Sequence, residues 1–175
     1  MEIAIDAIPG AHKVGLLFNP TNESNLRQRQ ETEAAAARLG LSLVVADARA
    51  APDIGPAFKT FLSEDTNIVV VLGDGTFVSL RRQIAAFALA MHLPTVFTFR
   101  EHVDDGGLIS YGVNIRENYR RAAYFVDRIL KGDKPAELPI EFPVKLELVI
   151  NVATAKALGL EIPPTLLARA DEVIE

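Results

Sequence analysis

The chain has 175 residues, 49% of them hydrophobic and 23% charged, with a net charge of −5 and no cysteine. This length supports one domain with a sizeable core, and the composition excludes a disordered or low-complexity chain. An acidic balance without a basic cluster argues against nucleic acid as a partner; zero Cys removes disulfides, thiolate metal sites and Cys nucleophiles; and no apolar run approaches the roughly 20 residues that membrane insertion needs.

At the start, Met1-Glu2-Ile3-Ala4-Ile5-Asp6 carries acids where a signal peptide needs a basic stretch, which places the chain in the cytoplasm if Met1 is its true start. Short apolar runs then alternate with helical stretches. Val14 to Phe18 reads as a strand buried on both faces. Asn22 to Leu39 reads as a helix, with Asn and Thr at its cap and Gly40 past its end. Ser42 to Asp47 is a second strand, and Pro52 to Ser63 a second helix that Gly55-Pro56 weakens in its first half. Asn67 to Leu72 is the third strand, Ser79 to Met91 the third helix and Thr95 to Phe99 the fourth strand. A β-α-β-α-β-α-β order at these spacings predicts an α/β fold: a parallel sheet with helices on both faces.

The rest has another pattern. Gly107 to Tyr111 reads as a fifth strand and Arg116 to Lys131 as a helix. Ile115, Tyr119, Ala122, Ala123, Val126, Ile129 and Leu130 form one apolar stripe along it, the strongest amphipathic signal in the chain. Residues 133–144 hold three prolines and read as an extended connector. Lys145 to Ile150 is a sixth strand; Thr154 to Leu158 and Pro164 to Ala170 are short closing helices.

Ligands of open parallel sheets bind beyond the carboxyl ends of the strands, so the loops there are the candidates. Asn19-Pro20-Thr21-Asn22-Glu23-Ser24 leads into a helix N-terminus; it fits capping alone, and equally capping joined to contact with a carboxylate or phosphate. Gly73-Asp74-Gly75-Thr76 matches neither phosphate-loop pattern, so its glycines read as a tight turn, with Asp74 free to accept from an ammonium or hydroxyl. Arg100-Glu101-His102 reads as a surface charge pair or as ligand contacts. Ser110, Tyr111 and Phe77 lie near the same rim, the two aromatics reading more readily as core than as ligand platforms. His12, His92 and His102 show no ligand spacing, and no nucleophile has an evident base, so no metal, cofactor or catalytic residue is expected. The residues thus favour binding over catalysis.

Several runs carry a family resemblance. They are Gly106-Gly107-Leu108-Ile109-Ser110-Tyr111-Gly112, Val126-Asp127-Arg128-Ile129-Leu130-Lys131-Gly132, Lys134-Pro135-Ala136-Glu137-Leu138-Pro139, Leu148-Val149-Ile150-Asn151, and the closing Pro163-Pro164-Thr165-Leu166-Leu167-Ala168-Arg169-Ala170-Asp171. Together with Asn19-Pro20-Thr21-Asn22 and Ser79-Leu80-Arg81-Arg82, they resemble the carboxyl-terminal part of ABC-transporter substrate-binding proteins related to tryptophan/tyrosine-type solute receptors. The resemblance implies a type I periplasmic-binding-protein fold whose two lobes close, without enzymatic activity, around a small solute for an ABC permease. Residues 10–106 and 145–175 would form the second lobe, and 107–144 a crossover belonging to the first. The candidate ligand contacts are Asn19, Thr21, Asn22, Ser24, Asp74, Phe77, Arg100, Glu101, Ser110 and Tyr111. A bound amino acid would set its carboxylate near Thr21, Asn22 and Ser24 and its ammonium near Asp74 or Glu101.

The sequence also departs from that family. Relatives carry an export signal and a first-lobe array before this point, so the chain reads as truncated. His102 stands where relatives tend to have an aromatic residue. The 115–131 stripe then lacks its usual neighbour, and each exposed stripe residue forgoes on the order of 1 kcal/mol of burial. The expectation is that a homodimer covers it, or that it refolds onto its own sheet. Two other readings compete: a cytosolic interaction module derived from such a receptor, and a small flavodoxin-like enzyme that would need a base or cofactor loop.

Overall fold

Apolar β-rich runs pair side by side because a strand buried on both faces must satisfy its backbone through its neighbours. The computed structural model describes residues 1–142 and 145–175. Among the described residues seven strands form one sheet: β1 (Lys13–Phe18), β2 (Ser42–Asp47), β3 (Ile68–Val71), β4 (Thr95–Phe97), β5 (Ile109–Val113), β6 (Leu146–Asn151) and β7 (Glu172–Ile174). Their order is β2-β1-β3-β4-β5-β6-β7. Every pairing is parallel except β5 with β6, which run antiparallel from Ile109↔Ile150 to Val113↔Leu146. The expected parallel sheet with helices on both faces is present, with one antiparallel ladder: the chain leaves the sheet at the end of β5 and returns at the same end.

The helices are α1 (Glu2–Ala7), α2 (Glu23–Arg38), α3 (Ala51–Ser63), α4 (Gly75–Ser79), α5 (Arg81–Ala90), α6 (Arg100–Asp104), α7 (Ile115–Leu130), α8 (Val152–Ala157) and α9 (Pro164–Leu167). The expected third helix is present as α5, and a short helix not expected from the sequence, α4, precedes it and meets it at Leu80. The fourth strand stops at Phe97 because Phe99 is already the N-cap of α6.

Alternation along the strands sends side chains to two cores. Leu17, Val69, Val71 and Phe97 join Phe58, Phe61, Phe77 and Ile84 of α3, α4 and α5 on one face. Val14, Ile68, Val96 and Ile109 join Ile3 of α1 and Leu166 of α9 on the other. Helix α3 keeps its course despite Pro56, since the bond lost there falls in the first turns. Gly55 lets the Phe87 ring approach, where a Cβ would lie 3.1 Å from Phe87 Cζ.

Helix α7 is the exception to burial. Asn114 caps it, its side chain accepting from the Glu117 N–H at 3.1 Å, yet none of its residues is buried. Tyr119 is 74% and Leu130 82% exposed, and Val126 and Ile129 stand open beside them. The expectation that this stripe folds back onto its own sheet is overturned. The polar side of the helix is the one engaged: Arg121 binds Glu141 through two contacts and lies over the Tyr124 ring at 4.2 Å. Of the connector expected over 133–144, Pro135–Glu137 forms a 3-10 turn, and positions 143 and 144 lie outside the described residues.

Candidate functional site

Strands β1 and β3 are neighbours, so their carboxyl-end loops meet above the sheet. Asp74 is the centre of that meeting. It caps α4, its Oδ1 accepting from the N–H of Thr76 at 2.9 Å and of Phe77 at 3.3 Å. The same oxygen accepts from Asn19 Nδ2 at 3.2 Å, and Oδ2 accepts from Asn22 Nδ2 at 2.8 Å. Neither Gly73 nor Gly75 has a positive φ, so the expected glycine turn is corrected to a helix N-cap. Burial pushes the Asp74 carboxyl up, but the bonds from Asn22, Asn19, Thr76 and Phe77 together outweigh it and hold the group below the usual carboxylate range. The outcome is an anion only 6% exposed whose bonding partners, among the described residues, are all neutral.

Around it the first loop is tightly tied. The Thr21 N–H and hydroxyl both donate to Asn19 Oδ1, at 3.0 and 2.7 Å, and the Ser24 N–H donates to Asn22 Oδ1 at 3.0 Å. Thr21 and Ser24 remain exposed at the rim. Asn25, which is not among the expected contacts, holds the two loops together: its Oδ1 accepts from the Asn19 N–H and its Nδ2 donates to the Gly73 carbonyl at 2.9 Å. What marks Asn25 is its complete burial, which the tertiary fold sets, so the sequence alone carries no signal for it.

The other candidates separate. Phe77 is fully buried in the core and presents no surface to a ligand, which corrects its place among the contacts. Arg100 has its guanidinium occupied: Nη1 donates to Glu147 and Glu172 at 3.1 and 2.9 Å, and Nη2 to Asp104 and Glu172 at 3.3 and 3.1 Å. Its remaining donor, Nε, is buried, so Arg100 has none to offer a ligand and its expected ligand role is corrected. One Glu101 oxygen and the Ser110 hydroxyl are buried and meet no hydrogen-bond partner among the described residues. Tyr111 helps Leu72 and Thr98 line a groove of about 550 Å³ beside α1 and α2, whose lining does not include Asp74.

The fold has counterparts among known proteins. A solved structure of a conserved domain protein from Vibrio cholerae O1 biovar El Tor has a TM-score of 0.89 at 26% identity, covering 98% of this chain and 58% of that one. The ABC domain from Streptococcus pneumonia in complex with L-Trp has a TM-score of 0.88 at 24% identity, covering 99% and 58%. The Tyrosine-binding protein of Clostridioides difficile (strain R20291) is 19% identical over 161 residues, 92% of this chain and 46% of its own length. The chain thus spans about half the length of the relatives it matches. The model of the ABC transporter substrate binding protein family matches residues 1–174, and the chain belongs to that family.

Proposed function

We propose that the chain is one lobe of a non-enzymatic solute receptor that serves an ABC permease outside the cytoplasm, and that its solute is an amino acid, aromatic by analogy with the L-Trp and tyrosine binders it resembles. In this reading residues 10–106 and 145–175 are the second lobe, and the part of 107–144 that departs from the sheet, α7 with its connector, faces the first. The observation that carries it is Asp74: a buried anion at the carboxyl end of β3, held ionised by neutral donors, whose Oδ2 accepts one protein bond and is left to receive an ammonium. The Ser24 hydroxyl and the second Asn22 Nδ2 hydrogen take the carboxylate; Thr21 spends both its donors on Asn19, and the unbonded Glu101 oxygen is buried, so the amine rests on Asp74 alone.

Calorimetry with L-tryptophan, L-tyrosine and L-phenylalanine tests this. Binding is expected well weaker than micromolar, because one wall of a cleft buries only part of a ligand. Asp74→Asn is expected to lower affinity about ten-fold or more, the loss of one charge-assisted hydrogen bond. No heat with any amino acid at millimolar concentration would end the reading.

A second reading, an interaction module, draws on the unpartnered stripe of α7. In the 175-residue chain taken alone, a second copy covers that stripe. Light scattering on the eluted chain is expected to give twice the 19.0 kDa monomer mass, and Val126→Glu to restore the monomer. A strict monomer for the wild-type chain would remove the self-association.

A further inference from the structure

The α7 arm hangs from the sheet by two crossings, the outgoing one at Asn114 and the returning one just before Glu147. Beyond the last β5–β6 pair, Val113↔Leu146, no ladder among the described residues holds it. We infer that Arg100 is a positioning residue, the hub of an ionic clamp that fixes the angle of this arm to the sheet.

The contacts form a closed ring. Asn114 Nδ2 donates to Glu147 Oε2 at 3.1 Å, and Glu147 Oε1 accepts from Arg100 Nη1 at 3.1 Å. Arg100 Nη2 reaches Asp104 Oδ1 at 3.3 Å, and Asp104 Oδ2 lies 3.5 Å from Arg116 Nη2 in the first turn of α7. Asn114 and Arg116 are two residues apart, so the ring begins and ends at the root of the same helix. Glu172 of β7 anchors the hub from outside through both its oxygens. The Arg100 side chain is 14% exposed, so these bonds are shielded from solvent more than a surface pair is. Both crossings and α6 are thus tied to one planar guanidinium, whose fork geometry fixes direction as well as distance. This arrangement holds whatever solute the cleft takes. It also explains why Arg100 stands at the carboxyl end of β4 with no donor facing a ligand.

The absence of native cysteine allows a direct test. Spin labels at the exposed positions Ala37→Cys in α2 and Lys131→Cys beyond α7 report the arm's position, with labelled chain diluted in unlabelled protein. The intact clamp is expected to give one narrow distance distribution. Glu147→Gln and Asp104→Asn each remove a charge from the ring and are expected to roughly double its width at an unchanged melting temperature. Glu33→Gln, which breaks an ion pair within α2 only, is the control. Should Glu147→Gln fail to fold, Asp104→Asn decides alone. Distributions as narrow as wild type in the folded variants would overturn the clamp.

Discussion

Gly112→Ala is expected to destabilise the fold by about 3 kcal/mol or more, at the severe end of overpacking substitutions. A Cβ at position 112 would lie 2.0 Å from the Thr98 carbonyl oxygen and 3.0 Å from its carbon. Both are backbone atoms, so no rotamer change relieves the clash. The β4–β5 pairing ends at Phe97↔Ser110, and just beyond it the chain turns at Phe99 into α6, bringing the Thr98 carbonyl over β5. An alanine must push β5 off β4 or shift it against β6, where Gly112 opposes Glu147. Gly75→Ala is the matched control: no atom lies within 4 Å of its built Cβ and its φ is not positive, so stability is expected to hold or rise slightly. Urea unfolding of the two variants is the measurement. A loss under about 1 kcal/mol at position 112 would mean that the close approach does not exist in solution.

What the sequence discloses depends on how far apart the cooperating residues lie. Strands β1, β2 and β3 are legible because their apolar runs are continuous and bounded by turns, and α7 is legible from its seven-residue stripe. Helix α6 is hidden: five residues carry too little periodicity, and what holds them is tertiary, the burial of His102 and Val103. The antiparallel turn of β6 is hidden too, since no tight-turn signal joins strands separated by a helix and a long connector. The same rule governs the site. Asn19, Asn22 and Asp74 can be named as candidates because strand topology alone selects their loops, and the structure brings the three into hydrogen-bond contact. The capture of Arg100 by Glu147 and Glu172, 47 and 72 residues further along, has no local mark, so a charged residue at the right loop reads as a ligand contact when it serves the frame.

Stability is expected to fall by about 2 kcal/mol between pH 7 and pH 5 on account of one side chain, His102. Its ring is 1% exposed and stacks on Phe97, with centroids 4.5 Å apart and planes within 17°. Burial drives its pKa down to about 4, with Arg81 adding to the effect, while backbone groups of Phe99 and Phe77 and the Asp105 carboxylate oppose it. Nε2 has no hydrogen-bond partner among the described residues, so protonation there would strand a charge in the core. An unfolded histidine titrates near its ordinary value of about 6.5. Between about 4 and 6.5 the unfolded chain therefore binds the extra proton and the folded one does not. The contribution is full above that window and is lost as pH falls through it, reaching on the order of 3 kcal/mol at its lower edge. His102→Phe keeps the stacked ring and removes the titration. It is expected to flatten the slope between pH 7 and pH 5 and to be the more stable protein at the acid end, despite losing the 3.3 Å contact from Nδ1 to the Phe99 carbonyl. Below about pH 4 both proteins should weaken together, because Asp74, Asp105 and Asp171, all held below the usual carboxylate range, then begin to protonate. Urea midpoints across this range decide it: an equal slope in wild type and His102→Phe would show that the buried ring takes up its proton inside the fold.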